Sequence, residues 1–109
     1  MIYIYLLRCP ITKKVRYVGK SKNPITRLKQ HLKDAEKKQN TKKQRWLKDL
    51  KEKSKYVQLE IINKFESDIE ARKEEQRQVI LNIDTIYNIH MPGKGSKSVE
   101  FYKKYGKLK

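Results

Sequence analysis

The first twenty residues carry two apolar runs separated by a polar turn. Ile2 to Cys9 are rich in β-branched and aromatic types, PITKK follows as a turn, and Val15 to Ser21 form a second strand-like run. The pattern predicts a β-hairpin. The period then changes: Asn23 offers an N-cap, Pro24 suits the first helical position, and Ile25, Leu28, Leu32 and Ala35 recur at helical spacing, predicting a helix from about Pro24 to Lys37. A polar break at Gln39-Asn40 leads to a second N-cap, Thr41, and a short basic helix with a narrow stripe of Trp46, Leu47 and Leu50. Tyr56 to Phe65, with Val57, Leu59, Ile61 and Ile62, suits a strand buried on at least one face that completes a small sheet. Ser67 and Glu70 have the form of a capping box, and the helix they start, bearing Ile69, Ala71, Val79, Ile80 and Ile83, is expected to be the longest. Pro92, Gly93 and Gly95 then interrupt the chain before a short helix from Ser98 to Tyr105 and a basic tail.

A chain of 109 residues accommodates one domain with a modest core, and no internal repeat or long linker divides it. Charge changes the picture most. Lys and Arg number 28 against 12 Asp and Glu, a net +16, and such a field favours a polyanion bound with strong salt dependence. A membrane surface or an acidic protein ranks lower, because no basic helix has a large exposed apolar face. The lone Cys9 excludes an internal disulfide and sits in an apolar run. The opening MIYIYLLRCP has no charged leader and is too short to span a bilayer, so the expected location is cytoplasmic.

Strand alternation places Tyr3, Tyr5, Leu7 and Cys9 on one face of the hairpin, and Tyr17 and Gly19 share their parity. With the turn centred on Thr12, Tyr5 falls opposite Gly19 and diagonal to Tyr17, so two phenols converge beside a residue without a side chain. A one-residue slip would put the tyrosines on opposite faces. Packing is the commoner reason for two tyrosines to meet, but the next helix presents Arg27 and His31 at i and i+4. Arginine grips phosphate through its fork, and histidine bonds or shuttles protons near neutral pH. Three acids compete on the later helix. Glu75 lies four residues from both Ala71 and Val79 and borders the buried face, Glu74 points toward Gln78 and Leu81, and Glu70 is occupied as a cap.

The run YIY at Tyr3 to Tyr5, YVG at Tyr17 to Gly19 and RLKQH at Arg27 to His31 resembles, in order and spacing, the signature of the GIY-YIG nuclease family. The resemblance continues through RWL at Arg45 to Leu47, VQLEII at Val57 to Ile62, the glutamate helix, and Asn88 ahead of GKG at Gly93 to Gly95. It covers roughly residues 1–96, leaving 97–109 as a basic helix and tail of the same domain. The resemblance implies an α+β fold, a small three-stranded antiparallel β-sheet flanked by helices, and a metal-dependent endonuclease hydrolysing phosphodiester bonds. It implies one divalent ion, Mg²⁺ or Mn²⁺, on the helix glutamate, here Glu75. It assigns Tyr5 and Tyr17 to the catalytic hairpin and Arg27 and His31 to the phosphate-facing side of the helix, with Gly19 and Asn88 in support; Lys20, with Arg27 and the ion, is expected to supply the cationic surrounding that a Tyr5 phenolate needs. The sequence departs from the pattern at Tyr3, where the signature begins with glycine, and at Arg77 and Gln78, where relatives carry an aromatic pair; Glu74 therefore stays beside Glu75 as an alternative ligand.

For substrate binding, Lys42, Lys43, Arg45, Lys48 and Lys51 on the second helix and Lys103, Lys104, Lys107 and Lys109 in the tail are the candidates. Contacts to backbone phosphates position DNA without reading it, so little intrinsic sequence preference is expected. Few residues remain for a separate reading domain. Trp46 is assigned to the core. One metal site cuts one strand, so double-strand cleavage would need a homodimer on the substrate or two successive events. The rival reading is a non-catalytic basic nucleic-acid-binding module with a decayed nuclease site; a basic ribosome-associated protein would leave the tyrosines, arginine, histidine and glutamate unexplained. No zinc-type cysteine and histidine spacing, P-loop or serine-histidine-acid arrangement is present.

Overall fold

The computed structural model describes residues 1–92 and 98–105. Gly93, Gly95, Lys107 and Lys109 therefore lie outside the described residues. The chain forms β1 (Ile2–Arg8), β2 (Val15–Ser21), α1 (Pro24–Lys37), α2 (Lys42–Glu52), β3 (Gln58–Phe65), α3 (Asp68–Leu81) and α4 (Val99–Tyr105). The three strands make one antiparallel sheet in the order β2-β1-β3, the α+β architecture expected from the sequence.

The hairpin register is the one implied by a turn centred on Thr12: Tyr3 pairs with Ser21, Tyr5 with Gly19 and Leu7 with Tyr17. Backbone bonds from Cys9 N–H to Lys14 O (2.9 Å) and from Lys13 N–H to Cys9 O (2.9 Å) close the turn, with Lys13 at φ 66°. Alternation then divides the sheet into two faces. The even-numbered side chains of β1 are buried in clusters with residues from α3 onward: Leu6 and Val18 with Val79, Ile83, Ile86, Met91 and Val99, and Ile2 and Ile4 with Ala71. The odd-numbered side chains Tyr5 and Tyr17 meet α1 on the other face.

The helices begin where the caps predict. The Asn23 side chain accepts from Thr26 N–H (3.2 Å), and Thr41 and Gln44 form a reciprocal capping box on α2. On α3 only half of the proposed box is made: Ser67 Oγ accepts from Glu70 N–H (3.5 Å), and no return bond from the Glu70 side chain is present among the described residues. α3 has 14 residues, equal to α1 rather than longer.

Three expected apolar faces are corrected. In α1 the buried residues are Pro24, His31 and Ala35, while Ile25 is 60% exposed and Leu32 is also exposed. Leu28 and Leu32 instead line a groove shared with Leu47, Leu50 and Val57. Ile69 and Ile80 of α3 are likewise exposed. β3 has no fully buried residue, because it is an edge strand whose apolar side chains are covered only from one direction. No helix among the described residues is long and apolar enough to cross a membrane.

Candidate active site

The site is built from the hairpin upward. Tyr5 stands on the central strand and is 1% exposed, its ring lying directly over Gly19. A Cβ at position 19 would overlap the ring at Cζ and Oη, so the absence of a side chain there makes room for the phenol rather than for an unusual backbone conformation. Tyr17, diagonal to Tyr5, has its ring centroid 6.3 Å from that of Tyr5. From α1, His31 enters between them, fully buried, with Nε2 2.9 Å from Tyr5 Oη and its ring edge-on to Tyr17 at 4.9 Å. Arg27, one turn earlier on the same side of α1, is exposed, yet its charge reaches both phenols.

A second set of groups closes the site from α2 and α3. Lys43 Nζ lies 2.9 Å from His31 Nδ1 and 4.8 Å from the centroid of the Tyr17 ring. Tyr17, Lys43 and Glu75 share a cleft of about 360 Å³ with Thr41, Gln44 and the segment from Tyr87 to Pro92. Asn88 clamps the outer edge of β2: its Oδ1 accepts from Val18 N–H (3.0 Å) and its Nδ2 donates to Val18 O (2.8 Å). Tyr87 N–H donates to Arg16 O (2.6 Å) and Arg16 Nη1 to Thr85 O (2.8 Å), so the whole segment lies along that edge. Asn88 thus supports Tyr17 through the backbone of the next residue.

The two candidate glutamates differ in engagement. Glu74 accepts from Arg77 Nε (3.0 Å) and Nη2 (3.1 Å) and from Gln78 Nε2 (2.8 Å), and the arginine holds its carboxyl below the usual range. Glu75 is half-buried and makes no hydrogen bond or ion pair among the described residues. Burial raises its pKa, with Asp68 adding to the rise and Lys20 and Arg72 opposing it. Lys20 donates to Asp68 Oδ1 at 2.7 Å, so its ammonium serves the start of α3 rather than the phenols.

Electrostatics set the protonation states. Burial pushes Tyr5 well above the ordinary phenol value; the Tyr17 and Glu75 charges add to the shift and Arg27 offsets part of it. Tyr17 is raised for the same reasons, burial first. Both are neutral phenols at physiological pH. His31 is pushed down to about 3, by burial first and then by Lys43 and Arg27. The resting imidazole is therefore neutral, where its ordinary pKa would leave it partly protonated in mild acid.

Of the five cations proposed on α2, Lys43 turns inward and the others lie at or near the surface. Lys42 is exposed, Arg45 donates to Gln39 O at 3.2 Å, Lys51 pairs with Glu36, and Lys48 and Lys51 border the groove between α1 and α2. Trp46 is half-buried and packs edge-on against Tyr87 at 5.9 Å. Lys103 and Lys104 lie on α4. The inward turn of Lys43 is the feature that the basic composition of the helix concealed. A signal for it existed: Lys43, Leu47 and Leu50 stand at i, i+4 and i+7, on one face.

Comparison with known families agrees with this geometry. The family model described as the GIY-YIG catalytic domain matches residues 1–80 of the 109, a span that includes Tyr5, Tyr17, Arg27, His31, Lys43 and Glu75. Asn88 lies beyond the matched span. No curated protein and no solved structure matches the chain. The fold, the hairpin register and the matched span together establish that the chain belongs to the GIY-YIG catalytic domain family, a family of endonucleases.

Proposed function

We propose that this domain is a divalent-metal-dependent endonuclease that hydrolyses DNA one strand at a time, with little sequence preference of its own. The observation that supports it best is the packing of two phenols and a neutral imidazole together, one of the phenols, Tyr17, lining a cleft that also holds an unpaired, half-buried carboxylate, Glu75. Family membership supports nuclease chemistry in general and a divalent ion in particular, since the family's nucleases generally depend on one.

The residues present suit a hard, strongly hydrated cation. A half-buried carboxylate without a partner favours a positive charge beside it. The described residues contain no group of three or more histidines, cysteines, aspartates or glutamates placed to hold a metal. An ion on Glu75 would thus keep most of its waters, as Mg²⁺ does and Mn²⁺ tolerates, whereas a structural zinc or an all-protein calcium site would need more ligands. When bound, the ion supplies charge to a phosphoryl oxygen and acidifies a coordinated water.

The chain's own groups do the rest. Arg27, exposed beside the phenols, braces the phosphate through its guanidinium. Tyr5 is the group assigned to the attacking water; because burial disfavours a standing phenolate, its hydroxyl takes the water's proton only as it passes its own to a non-bridging phosphate oxygen, while the bond from phosphorus to the leaving oxygen breaks and that oxygen takes a proton from solvent. Tyr17 packs against the His31 edge and fixes its plane.

Cleavage of supercoiled plasmid tests the reading. Wild type is expected to nick in Mg²⁺ and not in EDTA; Glu75→Ala should lower the rate at least about a hundredfold, while Glu74→Ala leaves it within about threefold. Retarded but uncut DNA under all conditions would establish the non-catalytic binding module instead.

A further inference from the structure

Lys43 differs from the other lysines of α2 in what it touches. Its ammonium sits 2.9 Å from His31 Nδ1 and over the Tyr17 ring, on the face that also buries Leu47 and Leu50. Across the same imidazole, Nε2 is 2.9 Å from Tyr5 Oη. Burial, then Arg27, lowers the Lys43 pKa; as an ammonium it has donors and no acceptor, so opposite the charged lysine Nδ1 is the accepting nitrogen, and a neutral imidazole that accepts at Nδ1 carries its hydrogen on Nε2. That hydrogen faces the Tyr5 oxygen.

We propose that Lys43 is a positioning residue: by donating to Nδ1 it fixes His31 as the Nε2–H tautomer, which donates to Tyr5 Oη and leaves the Tyr5 hydrogen directed to the substrate. Without this donor the imidazole can carry its hydrogen on Nδ1 instead, whereupon Nε2 accepts from Tyr5 and the phenol's proton is spent inside the protein. The charge of Lys43 also helps keep the buried ring neutral, together with Arg27, while Asp34 opposes both. The inference rests on the reading of Tyr5 as the phenol that meets the substrate, but the tautomer itself is a property of the protein without DNA.

Nitrogen-15 NMR of the imidazoles in the full chain decides it. His90, the second of the two histidines, is removed by His90→Gln to assign the signals. An unprotonated Nδ1 and a protonated Nε2 on His31 are expected; the reverse assignment overturns the proposal. In Lys43→Met a second tautomer should appear and kcat should fall roughly tenfold with KM within about twofold, and Lys43→Arg should restore both the spectrum and kcat. A raised KM with unchanged kcat and an unchanged His31 spectrum would make Lys43 a phosphate contact and overturn the proposal. If wild type cuts no substrate, the nuclease reading fails while the wild-type spectrum still judges Lys43.

Discussion

At the scale of single residues, the site stores its chemistry in buried neutral groups. His31 titrates near its ordinary value of 6.5 in the unfolded chain and at about 3 when folded, so the unfolded state binds more protons between those values. Stability from this residue is complete above about pH 6.5 and is lost as pH falls toward 3, with a slope approaching 1.4 kcal/mol per pH unit, the approximate equivalent of one proton. Urea titrations of wild type and His31→Gln across this range check the sign: the difference in slope should vanish above pH 7 and grow on acidification. A parallel acid response in the two proteins would mean that His31 is not buried neutral. The sequence showed that Tyr5 and Gly19 face each other, because strand parity is geometric. It did not show Lys43 as a partner of His31, because lysine beside lysine gives no contrast in composition and only the spacing to Leu47 and Leu50 separates it from Lys42.

At the scale of elements, what was legible depended on how local the cause was. The hairpin register and the caps of α1 and α2 arise within a few residues and were readable. The exposed sides of α1 and β3 were not, since which face of an amphipathic segment is covered depends on partners distant in sequence, and α1 divides its apolar residues between the sheet and the groove against α2. Asn88 shows the same dependence on a larger span. Its side chain pairs with both polar groups of the Val18 backbone and so occupies the outer edge of β2, which the sheet leaves open. Two hydrogen bonds of this kind contribute about 1–3 kcal/mol together, and their loss leaves strand groups unsatisfied. Asn88→Ala is expected to lower the urea midpoint accordingly and to slow cleavage by releasing Tyr17. Asn88→Asp, which cannot donate to Val18 O, should do no better. An unchanged midpoint in both variants would show that the clamp contributes nothing.

At the scale of the whole molecule, the net charge of +16 dominates encounter with a polyanion, but several cations are already engaged, including Lys20 with Asp68, Lys51 with Glu36 and Arg8 with Glu60. Binding should therefore be less salt-dependent than the composition suggests. If about four phosphates are neutralised, log K against log salt should have a slope of about −3.6 for duplex DNA, measurable with the Glu75→Ala variant in place of the active protein. A slope near zero would remove the electrostatic account of binding. The clamp on β2 has a further consequence. Val18 and Asn88 are 70 residues apart, and Tyr5 and His31 are 26 apart, so the parts of the site leave the ribosome at different times, the tyrosines first and Glu75 and Asn88 last. The hairpin bearing both phenols is thus made before the carboxylate and the strap that stand beside it, so the proposed site comes together only once Asn88 has emerged and not stepwise along the chain.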